Sequence, residues 1–239
     1  MSKFVIASFV LKGRTMVAPK VLMLGVVTTL QLALLLVGTA LLRAQQPAST
    51  VAFEQTFPGS DPAHYLISIA SDCHSTYESN GKLTPESDAD DSFHLEFTAS
   101  QATCGKVFDL AKQAHYFERE IDSKKKNLAS TGIKVLSYKD AQKSTQATYN
   151  YSTVPSVQEL TEIFQGLGAT LEFGRRLEYD HHYQKLALDD EMKRMQESET
   201  SRGLQDVSAI EAILQQIVDD PSVIQVVRAR AQRLLAAAK

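Results

Sequence analysis

Apolar and polar positions alternate in three different ways along this 239-residue chain. Residues 21–42 are 22 positions without a charge. As a helix such a run reaches ~33 Å, enough to cross the hydrocarbon core of a bilayer. From residue 51 the period drops to two, the mark of strands with one covered face. "VAFEQTF" sets Val51, Phe53 and Phe57 on one side, and "YLISI" sets Tyr65, Ile67 and Ile69 against Leu66 and Ser68. "STYES" pairs back across a turn at Asp72, Cys73 and His74, and "SFHLEFTA" turns Phe93, Leu95, Phe97 and Ala99 one way. A helix opens at Ser100, whose hydroxyl suits an N-cap, and presents Cys104, Val107, Phe108, Ala111, Ala114 and Phe117. Residues 133–139 and 145–152 read as a further hairpin around residues 140–142.

Beyond residue 152 the period becomes helical. Pro155 opens a helix with Ser152 or Thr153 as its cap, and Val157, Leu160, Phe164 and Leu167 form a stripe. Gly166 and Gly168 predict a weakening or a break there, each costing ~1 kcal/mol against alanine. Helical signal resumes from Thr170 to about Met195 and stops at "ESETSRG" (197–203). Val207, Ile210, Leu214 and Ile217 make another stripe, and Asp220-Pro221 restarts a last helix with Val223, Val227, Leu234 and Leu235 inward. The expectation is an α+β protein: an antiparallel sheet with a covering helix, followed by an all-helical C-terminal region. The divisions are 1–44 as a targeting segment, 45–152 as the sheet domain and 153–239 as the helical region.

Charge changes what the first run means. Residues 1–44 carry five basic residues and no acid, which leaves a net −8 for residues 45–239 against −3 overall. A basic head, an apolar centre and "LRA" at 42–44 fit a secretory signal cut after Ala44, or a retained anchor at residues 21–42. Either outcome exports residues 45–239, to the periplasm or beyond, or held at the inner membrane, with membrane contact only through the N-terminal segment. An acidic body without clustered Lys or Arg also argues against nucleic acid. The short runs Lys124–Lys126 and Arg175-Arg176 read as solvated charge.

Export changes the reading of Cys73 and Cys104, the chain's two cysteines. In an oxidising compartment an even pair suggests a disulfide. The meander would bring the hairpin tip and the start of the helix to one end of the sheet. Closing a loop of about thirty residues restricts the unfolded chain by about 3.5 kcal/mol. The alternative is two free thiols, with Cys104 packed as core.

Complete catalytic motifs are missing from the sequence. Gly166 and Gly168 lack the third glycine and the preceding strand of a dinucleotide loop, and neither G-x-S-x-G nor H-E-x-x-H occurs. The "ESDADD" loop (86–91) begins like a calcium loop but has Phe93 where the glycine belongs. Glu178, His181 and His182 are metal candidates through one Glu-x-x-His step, although di-iron bundles use two such motifs. Asp61, His64 and His94 are the candidates for an unfamiliar hydrolase site. No cofactor is expected.

The stretches "YLISI", "FHLEFT", "VFDLAKQAHYF", "FGRRLEY" and "DPSVIQVVRARAQRLL" give the chain a resemblance, over most of residues 51–238, to exported bacterial proteins of uncharacterised activity. These carry a sheet-and-helix module behind a signal peptide. "DPSVIQVVRARA" with "AIEAILQQIVDD" also resembles one HEAT-type helical pair, but a single copy is weak and reads better as a plain helical hairpin. The resemblance implies no chemistry. The functional expectation is an extracytoplasmic, non-catalytic binding or interaction protein, with an envelope protein as a possible partner. The alternatives are an exported hydrolase and a divalent-metal binder.

Overall fold

Six strands and five α-helices are present in the computed structural model, which describes residues 48–83, 92–125 and 127–238. The targeting segment expected at 1–44, its apolar run at 21–42 and the acidic stretch 86–91 lie outside the described residues. Among the described residues, no helix is long and apolar enough to cross a membrane.

The strands are β1 (Thr50–Thr56), β2 (His64–Ala70), β3 (His74–Asn80), β4 (Ser92–Thr98), β5 (Ile133–Lys139) and β6 (Ser144–Tyr149). They form one antiparallel sheet in the order β4-β3-β2-β1-β5-β6. Register aligns the inward residues in rows across it. Leu136, Phe53, Ile67, Tyr77 and Leu95 make one row, and Tyr138, Val51, Ile69, Ser75 and Phe97 the next. The third row, at the end of the sheet, is Tyr149, Lys134, Gln55, Tyr65, Ser79 and Phe93. It is mostly polar, and it shapes the site below. Phe57, expected to follow Phe53 inward, lies past the end of β1 and is exposed. Gln55 holds that inward position.

Helix α1 (Gln101–Gln113) begins where expected, with the Thr103 N–H donating to Ser100 Oγ at 3.2 Å. Its face buries Cys104, Val107, Leu110 and Ala111. Helix α2 (Pro155–Tyr183) runs unbroken for 29 residues. The expected interruption at Gly166 and Gly168 is absent because both glycines are contact points. A Cβ on Gly166 would sit 2.6 Å from Gln205 Cγ, and one on Gly168 would sit 3.2 Å from the Tyr65 ring. The Thr170 hydroxyl closes the first contact by donating to the Gln205 carbonyl at 2.7 Å. The cap also differs. Val154 is the N-cap, and Ser152 Oγ accepts the Val154 N–H instead of a helical one. Phe164 stacks on Phe53 with centroids 5.3 Å apart, which lays α2 on the sheet.

The helical break falls at residues 184–187. Helix α3 (Leu188–Thr200) follows, then a short turn (Val207–Ile210), α4 (Glu211–Asp219) and α5 (Gln225–Ala237). The last helix therefore starts four residues after Pro221, because Asp220 ties up the turn instead of capping it. Its Oδ1 accepts both the N–H and the hydroxyl of Ser222, at 2.8 and 2.6 Å. One core cluster joins the sheet's covered face to all five helices. The opposite face carries Glu54, His64, Glu78, His94 and Glu96 toward solvent.

Candidate functional site

The polar end row of the sheet meets one flank of α2, and the two enclose a groove. Inward strand positions normally carry apolar groups, so a polar row under a helix must satisfy its own hydrogen bonds. It does so in three places. At the first, Glu172 of α2 is 7% exposed, and its Oε1 accepts the Tyr77 hydroxyl at 2.6 Å and the Ser79 hydroxyl at 2.8 Å. Its Oε2 lies 3.8 Å from Arg175 and 3.9 Å from Arg176. Burial, and then the neighbouring Glu172 charge, push the Tyr77 phenol far above the ordinary range, so it stays a donor.

At the second, Gln55 Oε1 accepts from the Tyr65 hydroxyl at 3.1 Å and from Gln165 Nε2 at 2.9 Å, which bridges sheet to helix. At the third, Lys134 donates to Thr131 Oγ1 at 2.7 Å, the Asn150 carbonyl at 3.0 Å and the Thr131 carbonyl at 3.2 Å. All three ammonium protons go to uncharged acceptors, and burial lowers its pKa. Tyr149 beside it shares a 2.6 Å hydrogen bond with Thr161 of α2, and burial raises its pKa, the opposite direction for an acid whose charged form is the anion.

The groove has two hollows that share Gln165. One, of about 280 Å³, lies between Gln55, Asp61 and Tyr65 on the sheet side and Gln165, Ala169, Glu172 and Arg176 of α2. The other, of about 510 Å³, lies between Lys134, Tyr149 and Tyr151 and the helix residues Gln158, Thr161 and Glu162. Arg176 is not free at this site. Its Nε donates to Glu191 Oε1 of α3 at 2.6 Å, and Glu191, 1% exposed, is also bonded by Arg194. Arg175, read from the sequence as solvated charge, is buried instead, with its guanidinium 4.8 Å from the Phe93 ring centroid.

Other sequence candidates lie elsewhere. His64 and His94 sit on the uncovered face of the sheet, away from Asp61 in the groove. His64 Nδ1 is 3.0 Å from Thr56 Oγ1 and 3.8 Å from Glu54 Oε1. Both partners meet the same ring nitrogen, whereas a nucleophile–base–acid relay needs one on each. Among the described residues His94 meets Glu78, at 3.5 Å on an exposed surface. Among the described residues, no three His, Cys, Asp or Glu side chains are placed to hold a metal ion. Glu178 and His182 are exposed, and His181 Nε2 is 2.9 Å from Asp220 Oδ2. Lys185 takes that same oxygen at 2.6 Å, which puts an ammonium where a metal would need the carboxylate.

Hydrogen bonds from Lys185 and then Ser222 hold the Asp220 carboxyl well below the usual carboxylate range. A carboxyl with a depressed folded-state pKa stabilises the fold above its unfolded value, near 3.9, and loses that contribution as pH falls. Melting temperature measured between pH 6 and pH 2 should therefore fall more steeply below about pH 4 for the wild type than for Asp220→Asn, the two curves converging toward acid.

Cys73 and Cys104 pair as a disulfide, with Cα atoms 5.6 Å apart and a sequence separation of 31. It joins the β2–β3 turn to the first turn of α1, at the end of the sheet opposite the groove. No known protein family matches the chain, and a search of curated proteins finds no relative.

Proposed function

We propose that this chain is an extracytoplasmic, non-catalytic binding protein and that the groove along α2 is its ligand surface. The observation that carries the reading is the state of Glu172. A catalytic carboxyl must take and release a proton or attack a substrate. Glu172 instead accepts two hydroxyl hydrogen bonds on one oxygen and faces two arginines with the other, a setting that fixes the wall of a cleft. Asp61, the other carboxylate of that hollow, accepts the Lys82 N–H at 3.2 Å. Polar groups fixed in advance suit recognition, since little ordering cost remains when the ligand arrives. The buried disulfide supports export, because such bonds persist in oxidising compartments.

The test is a melting experiment on the full chain in a mild detergent, with an aqueous extract of bacterial envelopes as the probe. The extract should raise the melting temperature of the wild type and not that of Ala169→Trp, whose indole fills the smaller hollow. Its constituents should be recovered unchanged. An equal rise in both proteins, or none, removes the groove from the proposal. Turnover of a constituent removes the non-catalytic reading.

A further inference from the structure

The chemistry of the groove selects a ligand class, and this step rests on the binding reading above. Length comes first. Helix α2 lines the groove at 158, 161, 162, 165, 169, 172 and 176, a single face by helical spacing. From Gln158 to Arg176 that face rises about 27 Å at 1.5 Å per residue. The facing row runs from β6 to β3 over four strand spacings, ~19 Å. Such a surface fits an extended oligomer better than a single small molecule.

Charge comes second. Arg176 is paired with Glu191 at 2.6 Å, and every Lys134 proton has a partner. Asp61 and Glu162 remain on the rim. A phosphate or carboxylate ligand would meet no uncommitted cation here and two acids. An acyl chain would strip water from glutamine amides and carboxylates and return no hydrogen bonds. An extended peptide gains affinity chiefly by pairing its backbone with a strand edge. The middle of the groove is floored by β1, β2 and β5, which are paired on both sides.

Third is the kind of polar group on offer. Amides and hydroxyls recur along both walls, and burial keeps the tyrosine phenols protonated. Tyr151, at the open end, is 42% exposed, and its hydroxyl accepts from Gln158 Nε2 at 3.0 Å, which fixes the position of the ring. Amides and carboxylates match hydroxyls that both donate and accept, and an aromatic face packs against C–H groups. We infer that the groove binds a neutral oligosaccharide lying along α2, with its hydroxyls on Gln55, Gln165 and Asp61 and one sugar face against Tyr151.

The test extends the same melting experiment with chemically divided probes. The envelope extract is treated with periodate, which cleaves vicinal diols, or digested exhaustively with protease, and each reagent is removed before use. Periodate should abolish the stabilisation and proteolysis should leave it intact. Tyr151→Ala should need about tenfold more of the untreated extract for the same shift, with little change in its own ligand-free melting temperature. A stabilisation that survives periodate overturns the saccharide assignment and leaves the binding reading standing. Loss of the effect to protease alone identifies a peptide and has the same consequence. An untreated extract with no effect on the wild type overturns both.

Discussion

Replacing Glu172 with alanine is expected to remove about 3–5 kcal/mol of folding free energy, a large fraction of what a domain of this size possesses. The magnitude follows from what the carboxylate leaves behind. Tyr77, fully buried, and Ser79 lose their acceptor, and Arg175 loses its closest acid while it remains buried. A buried donor without a partner costs its desolvation, and an unpaired buried charge costs more. Glu172→Gln keeps an oxygen for both hydroxyls and loses only the charge toward the arginines, so it should cost about 1–2 kcal/mol. Tyr77→Phe should cost about 1 kcal/mol. Urea unfolding followed by circular dichroism measures all three, and the slope against urea should stay constant because the buried surface barely changes. The cycle with Glu172→Ala/Tyr77→Phe then checks the network. The double variant should lose less than the sum of the singles, since the phenol has no bond left to break once the carboxylate is gone. Strict additivity would show that the two groups do not act together.

Why Glu172 was missed and the sheet was not is a matter of periodicity. Period-two alternation located β1 to β5 to within a residue or two, and β6 with its end three residues late, because a strand with one covered face cannot hide its pattern. Ser100 announced α1 through its hydroxyl, and the turn read at residues 72–74, observed at 71–73, placed Cys73 near the start of α1. Helix α2 was harder to read. Glycine carries a propensity cost that is visible in sequence, whereas the approach of Gln205 to Gly166 and of Tyr65 to Gly168 is visible only in three dimensions. Left-handed residues gave no signal either. His115, Tyr116 and Phe117 adopt φ of 52°, 52° and 61°, and none is a glycine or asparagine. The groove residues left a trace that was readable. Gln55 and Lys134 interrupt the apolar side of their strands at the position nearest one end of the sheet, and Ser79 holds the same position on the covered side of β3. Glu172 stands four and eight residues after Gly168 and Phe164, on the buried face of α2. A polar residue at an inward position on four separate elements marks a common polar layer. No single element shows that layer by itself, and the histidines that stand out in the sequence lie on the uncovered sheet face or at the end of α2.

The second large effect lies at the other end of the sheet and has a different origin. Cys73→Ser/Cys104→Ser should lose between about 3 and 4 kcal/mol, with the loop of 31 residues setting the size through the entropy of the unfolded chain. Glu172→Ala weakens the native state, whereas the serine pair releases the unfolded one. The two are separable in the same urea experiment. Without the crosslink the unfolded chain exposes more surface, so the urea slope should increase along with the fall in midpoint. Wild-type protein unfolded in dithiothreitol should coincide with the serine variant, and a midpoint unaffected by reductant would refute the crosslink. Reduction of the folded protein should be slow, since Cys73 and Cys104 are only 2% and 4% exposed and the turn must open before a thiolate can enter. The turn itself is held by Cys73, whose φ of 67° strains a non-glycine residue and whose carbonyl accepts the Ala99 N–H at 3.0 Å. Breaking the bond therefore loosens the junction of β3, β4 and α1 together. Domains of this size commonly hold 5–15 kcal/mol in reserve, so a chain kept reduced would have surrendered a fifth or more of it. Full stability therefore requires the oxidised pair, and the stability difference between the two thiol states measures how strongly the fold depends on that bond.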